Sequence, residues 1–255
     1  QIDNQLEGFE FVVAHVNHLI RKEAKEDEEY VKRFCEEKQI KFYCKSIDVL
    51  KLANNNKIGT EEAGRLARYQ FFEEVMKETG SHKIAVAHNK NDNVETIMMH
   101  FIRGSGTIGL KGMEAKRENL IRPLIDCQRY EIEEYCEQKG LNPRIDKTNF
   151  DNIYTRNKIR NVVIPYLQQE FNPNIIETID RLAKLVKVEE DYIDRQVQDV
   201  YQQIVVEEKK EFGQIILNLK KFNQQEMVIK ARIILYTITR LFGNSCGIEK
   251  IHIED

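Results

Sequence analysis

The chain has 255 residues, 32% of them charged, with a formal net charge of -3, five cysteines and no tryptophan. That length carries one large domain or two smaller ones with a real core, and the charge balance excludes an indiscriminate nucleic-acid binder while leaving room for a local basic track. No apolar run approaches the roughly 18 residues of a membrane span and no signal peptide is visible, so a cytoplasmic protein is expected.

The cysteines, at 35, 44, 127, 136 and 246, are scattered without a CxxC pair, which argues against structural disulfides or zinc and for a reducing compartment. The sequence opens at Gln1, a few residues before its first strand, and reads as the interior of a longer protein.

The apolar run Phe9–His15 predicts a buried strand, closed by His15-Val16-Asn17-His18 and followed by Arg21. Ala24–Glu37 reads as a helix and Ile40–Ile47 as a second strand. Thr60–Thr79 is a long helix with Thr60 as its cap, Glu61 and Glu62 in its first turn and Gly80 at its end. A short strand at Ile84–Ala87 turns polar through His88-Asn89-Lys90-Asn91-Asp92, then becomes helical. Val94, Ile97, Met98, Phe101 and Ile102 give that helix one apolar face. Gly104 ends it, and glycines at 106, 109 and 112 follow in a loop flexible enough to act as a lid.

Strands alternating with helices predict a Rossmann-like open parallel sheet with flanking helices. Leu120–Ile125 leads into a helix at Arg129–Lys139, ended by Gly140. Asn174–Gln203 is a long amphipathic helix, with Ile175, Ile179, Leu182, Leu185, Val186, Val188 and Ile193 at helical spacing. Gly213–Leu219 reads as a short strand or hairpin arm, and Gln225–Phe242 as a second amphipathic helix. The expected division is a catalytic domain over 1–172 and a small, mostly helical domain over 173–255.

Open α/β sheets bind ligands where a strand hands over to a helix N-terminus, which directs attention to His88, Asp92 and Glu95. Taken alone, Asp92 and Glu95 also fit a cap and its capping box. His15 and His18 lie at i, i+3, but no third residue is spaced to complete a metal site, so none is assigned. Arg65 and Arg68 share one helical face. Arg156, Lys158 and Arg160 follow Asp146-Lys147-Thr148-Asn149 and precede Pro165.

These pieces occur in an order that resembles the tRNA(Ile)-lysidine synthetases of the PP-loop superfamily. The motif His-x-x-x-Asp-x-x-Glu-Thr is met by His88, Asp92, Glu95 and Thr96, with Asn89 where the family carries a second His. The motif Arg-Gly-Ser-Gly is met by Arg103, Gly104, Ser105 and Gly106, and its continuation by Gly109-Leu110 and Gly112-Met113. His-Val-Asn-His-x-x-Arg is met from His15 to Arg21, Arg-x-x-Arg-Tyr by Arg65, Arg68 and Tyr69, and Arg-Asn-x-Ile-Arg by Arg156, Asn157, Ile159 and Arg160.

The resemblance implies ligation of lysine to C2 of the wobble cytidine of tRNA(Ile) with a CAU anticodon, using ATP with Mg2+, in an enzyme whose relatives are often homodimers. It implies Asp92 and Arg68 as catalytic residues, with Glu95, His88 and Arg65 around the substrate. His15, Asn17, His18, Gly104, Ser105 and Gly106 fall on the ATP side. Arg156, Asn157 and Arg160 either contact tRNA phosphates or hold the cleft together. The superfamily's phosphate loop, Ser-Gly-Gly-x-Asp-Ser, does not occur in residues 1–255 and is expected upstream. A tRNA thiolase of the same superfamily and a non-catalytic RNA-binding remnant are the competing readings.

Overall fold

The computed structural model describes residues 9–20, 23–144, 151–209, 211 and 213–243. In chain order come β1 (Val12–Asn17), α1 (Ala24–Glu37), β2 (Lys41–Ser46), α2 (Val49–Asn56), α3 (Thr60–Thr79) and β3 (Ile84–Ala85). Then follow α4 (Lys90–Ile102), α5 (Gly106–Leu110), β4 (Lys116–Arg117), β5 (Leu120–Ile121) and α6 (Arg129–Gln138). A helical run joins α7 (Thr155–Lys158), a π turn at Ile159–Val163 and α8 (Ile164–Glu170). The last elements are α9 (Ile175–Ile204), β6 (Val205–Lys209), β7 (Gln214–Leu217), α10 (Leu219–Asn223) and α11 (Met227–Phe242).

The contacts divide the chain into two compact units, one made of 1–89 with 114–147, the other of 90–113 with 148–255. The first unit is the α/β part. β1 and β2 pair in parallel, from Val12 opposite Lys41 to Asn17 opposite Ser46, with α1 as the crossover. A second sheet has the order β3-β5-β4, with β3 parallel and β4 antiparallel to β5. The core between α2 and α3 consists of Val49, Ala53, Ala63 and Ala67, small side chains that let the two helices approach closely. Parallel pairing with flanking helices is the fold class the sequence predicts.

The second unit is mostly helical. One core joins Val94 of α4 to Ile159, Ile164 and Ile176. Another joins Val197, Tyr201 and Ile204 of α9 to Ile233 of α11, with the antiparallel hairpin β6–β7 packed against it. No helix among the described residues is long and apolar enough to cross a membrane.

Several elements depart from the sequence reading. The first strand starts at Val12 rather than Phe9, because only 12–17 find partners on β2, and Phe9 and Phe11 are left exposed. Asn17 therefore lies inside the strand, not in a turn after it. Helix α2 was not anticipated. Its start is set by Asp48, whose carboxylate accepts the Lys51 N–H at 2.9 Å, and its end by Lys57 in the left-handed region at φ 54°.

α4 begins at Lys90, so Asp92 sits within its first turn and Glu95 beyond it. Its inner face holds Asn93, Val94, Glu95 and Ile97, whereas Phe101 and Ile102 are exposed. In α9 the buried stripe is Ile176, Asp180, Ala183, Val186, Glu190, Val197, Tyr201 and Ile204. Leu182, Leu185 and Val188, counted inward from spacing alone, face outward.

Candidate functional site

In the second unit the site is built around a buried carboxylate. Glu95 is 1% exposed, and the guanidinium of Arg160 grips it along one edge, Nε donating to Oε1 at 2.6 Å and Nη2 to Oε2 at 2.7 Å. The same Nη2 also donates to Asp92 Oδ1 at 3.1 Å. Arg156 adds a second cation, with Nε 3.7 Å from Glu95 Oε2 and Nη2 donating to Thr96 Oγ1 at 2.6 Å. Thr96 in turn donates to the Asp92 carbonyl at 2.9 Å.

Burial works against the charge on Arg160, yet its hydrogen bonds to Glu95 and the charges of Glu95 and Asp92 outweigh it and raise its pKa above the ordinary value. Arg160 sits on the π turn, a local insertion that changes which residues of a helix share a face. Ile159, its neighbour, plugs the core beneath. Asn157, also buried, donates from Nδ2 to the Asp151 carbonyl at 2.7 Å.

Segment 104–113 is better ordered than a free glycine loop, because α5 forms inside it and packs on α4 and α9. His100 Nδ1 lies 2.8 Å from the Gly109 carbonyl, and the Met113 N–H donates to Asn93 Oδ1 at 2.7 Å. A Cβ on Gly112, whose φ is +70°, would stand 2.5 Å from that Asn93 oxygen. Close approach, rather than freedom, is what glycine supplies there. The N–H groups of Gly104, Ser105 and Gly106 donate to the carbonyls of Phe101, His100 and Gly104, so the part of this segment left for a ligand is side chain, notably the Ser105 hydroxyl.

In the first unit, Asn17 is 5% exposed and uses both ends of its carboxamide: Nδ2 donates to Glu28 at 2.9 Å and Oδ1 accepts the Leu19 N–H at 3.1 Å. It thereby fixes the turn carrying His18, whose ring lies against Gly64 of α3, where an added Cβ would come within 3.0 Å. Burial lowers the pKa of His15, opposed by the charges of Glu28 and Asp27. Arg65 and Arg68 are exposed on α3, and the Arg65 guanidinium stands 5.7 Å from the Tyr69 ring centre. His88 and Asn89 close β3, with Asn89 buried. Among the described residues no group of three or more His, Cys, Asp or Glu side chains is placed to hold a metal ion. Asp146 to Asn149 and Arg21, parts of the predicted motifs, lie outside the described residues.

Comparison with known proteins settles the family. The family described as "PP-loop domain" matches residues 1–167. The chain belongs to that family. The PP-loop chain is 44% identical over 250 residues to the tRNA(Ile)-lysidine synthase of Clostridioides difficile strain 630, covering 97% of this chain and 54% of that protein. It is 46% identical over 243 residues to the protein of the same name from Clostridium acetobutylicum, covering 94% of this chain and 52% of the other. It thus spans about half the length of the curated relatives it matches. Among solved structures it is similar to the "U34-tRNA thiolase NcsA from Methanococcus maripaludis with its [4Fe-4S] cluster". The TM-score is 0.56 and the identity 19%, over 70% of this chain and 62% of that one, which is a likeness of fold.

Sequence reasoning missed three residues that organise the PP-loop chain's second unit. Asn93 and His100 pin the glycine segment, and Glu190 of α9 accepts Arg232 of α11 at 2.7 and 2.8 Å. The signal for Glu190 was a carboxylate on the apolar stripe of α9, at helical spacing from Val186 and Val197.

Proposed function

We propose that the full-length protein is an ATP-dependent ligase that joins L-lysine to C2 of the wobble cytidine in tRNA(Ile) with a CAU anticodon, giving lysidine. One observation carries this reading: Asp92, Glu95, Thr96 and Arg160, drawn from two motifs far apart in sequence, form one hydrogen-bonded cluster. They do so in a chain 40–46% identical to tRNA(Ile)-lysidine synthases. Residues 1–172 supply the catalytic part and 173–255 the start of a mostly helical tRNA-binding part. A cytoplasmic homodimer is the assembly the family analogy favours.

The reaction divides into two displacements. The C2 oxygen of the cytidine attacks the α-phosphorus of ATP and pyrophosphate leaves. The ε-amine of lysine then attacks C2, the bond from C2 to the AMP oxygen breaks, and the amine proton passes to a carboxylate. Asp92, whose side chain is more open than that of Glu95, takes the ammonium and its proton, while Glu95 and Arg160 hold Asp92 in place. Arg68 meets the charge that develops at the cytidine oxygen and α-phosphate, with Arg65 in support. His15 and His18, on the turn fixed by Asn17, are assigned to the ATP, as are Gly104, Ser105 and Gly106, and His88 is assigned to the substrate with Arg65. Arg156 and Asn157 lie on the tRNA side. Mg2+ would belong to this scheme as the companion of the ATP phosphates.

A thiolase needs a reactive cysteine. Cys44 is exposed, yet partial desolvation and the bond and charge of Glu28 push its thiol up to about 11, the opposite of activation for that cysteine. The test is mass spectrometry of nucleosides from tRNA incubated with the full-length enzyme, ATP and lysine. Asp92→Asn and Arg68→Ala are each expected to abolish lysidine while circular dichroism stays unchanged. Retained turnover removes that residue from the mechanism, and added sulfur in place of lysine overturns the reading.

A further inference from the structure

Arg122 is the first residue after β5, at the carboxyl end of a strand paired in parallel with β3. The pairing continues beyond the strand, since the Val86 N–H donates to the Ile121 carbonyl at 3.0 Å. Arg122 therefore stands at the sheet edge beside the segment that ends in His88 and Asn89, where open α/β sheets bind ligands. It is 8% exposed, which is unusual for a guanidinium that forms no salt bridge among the described residues. Nη1 donates to the Glu114 carbonyl at 2.6 Å, a bond that fixes the orientation of the plane. Nε is buried and has no hydrogen-bond partner, and no carboxylate pairs with Arg122 among the described residues.

Native proteins rarely leave a buried charge without a counter-ion, because desolvation then goes unrepaid. The edge formed by Nε and Nη2 is the one a guanidinium uses to bind two oxygens at once, as Arg160 does with Glu95 in this same chain. An oxyanion with two acceptors at suitable spacing completes that edge.

We propose that Arg122 is a phosphate-binding residue, its Nε and Nη2 gripping two oxygens of the polyphosphate of a bound nucleotide at the carboxyl edge of β3 and β5. The inference rests on the ATP-using reading above and names a residue to which that reading gives no role. The Glu114 carbonyl acts as the brace: it takes one nitrogen so that the opposite edge stays presented. A lysine at this position keeps the charge but loses the fork.

The experiment is calorimetric titration of the full-length protein with inorganic pyrophosphate and, separately, with ATP, comparing wild type, Arg122→Lys and Arg122→Met. Charge-assisted, paired hydrogen bonds of this kind predict pyrophosphate binding weakened about tenfold or more in Arg122→Lys and about a hundredfold in Arg122→Met. Circular dichroism and the thermal midpoint show whether each variant is folded. Should Arg122→Met lose structure, the folded Arg122→Lys decides.

Pyrophosphate binding at wild-type strength in a folded variant overturns the assignment. So does a result in which only a short RNA oligonucleotide, and neither pyrophosphate nor ATP, loses affinity. If wild type makes no lysidine yet its pyrophosphate binding depends on Arg122, the ligase reading fails and the phosphate site stands. If lysidine forms and pyrophosphate binding ignores Arg122, the reverse holds.

Discussion

Removing the guanidinium of Arg160 is expected to damage the second unit far more than removing a surface ion pair. Glu95 is 1% exposed, and both of its oxygens lie within 2.6–2.7 Å of Arg160 nitrogens. With Arg160→Met, Arg156 remains as a cation whose Nε is 3.7 Å from Glu95 Oε2. Breaking a buried pair by deleting one partner costs about 3–5 kcal/mol, because the other charge stays desolvated, whereas exposed pairs are worth about 0–1 kcal/mol. Arg160 keeps 16% side-chain exposure, so water relieves part of the penalty and the lower end, about 3 kcal/mol, is expected.

Glu95→Gln removes the charge while keeping the shape, and the double variant Glu95→Gln with Arg160→Met removes both members of the closest pair, leaving the more open Asp92 and Arg156 with water access. Urea unfolding of all four proteins, analysed as a double-mutant cycle, is expected to show a coupling energy of about 2–3 kcal/mol. The midpoint should shift while the denaturant slope holds. A cost below about 1 kcal/mol for Arg160→Met, or additivity of the two substitutions, refutes the view that this pair is the buried anchor of the site.

Two further outcomes follow from the geometry around that anchor. Gly112→Ala puts a Cβ 2.5 Å from Asn93 Oδ1 at a φ of +70°. It therefore pays for a left-handed residue and disturbs the Asn93–Met113 bond, together about 2–4 kcal/mol. Thermal melting is expected to fall and amide exchange across 104–113 to quicken, and an unchanged melt contradicts the pinned-segment description.

Glu190 supplies a pH signature. Burial alone would raise its pKa, but the bonds from Arg232 and Thr107, aided by the charge of Lys111, hold it below the ordinary 4.5. A depressed carboxylate contributes stability above its unfolded pKa and loses it as pH falls through the folded value. The stability gap between wild type and Glu190→Gln, from urea unfolding at stepped pH, should be constant from about pH 7 to 5 and close below about 4.5. A gap that persists unchanged to about pH 3 rejects the pairing.

What the sequence revealed, and what it hid, divides along physical lines. The end of α3 was legible because Gly80, at φ 69°, stops it with a conformation few other residues tolerate, but its cap was not: Gly59 holds the cap position, and Thr60, expected there, is the first helical residue. The start of β1 was not, because a strand exists where a partner strand pairs with it, and the apolar Phe9 and Phe11 lie outside the stretch that β2 reaches. In α9 the apolar residues lie on more than one side, so spacing gathered Leu182, Leu185 and Val188 with the buried set. The burial of Asp180 and Glu190 shows that polar positions complete the inward stripe. Asp92 and Glu95 were found as motif residues. Their partner Arg160 lies 65 residues beyond Glu95, too far for any local pattern to connect them, and its direction depends on a π turn that composition does not announce.

The arrangement also separates the two carboxylates by task. They lie within one turn of the same helix and share one guanidinium, but unequally: Glu95 takes two short bonds and is sealed from water, whereas Asp92 takes one longer bond at 3.1 Å and keeps 17% of its side chain open. A group that must receive a proton from a substrate amine has to be reachable, and a group locked by two charge-assisted bonds at full burial gains little by exchanging that partner. On the proposed reaction, these bonds fit Glu95 as the holder of Arg160, and Arg160 as the group that orients Asp92. Under the proposed ligase reading, Glu95→Gln is expected to act through the geometry of Asp92, whereas Asp92→Asn removes the proposed proton acceptor itself.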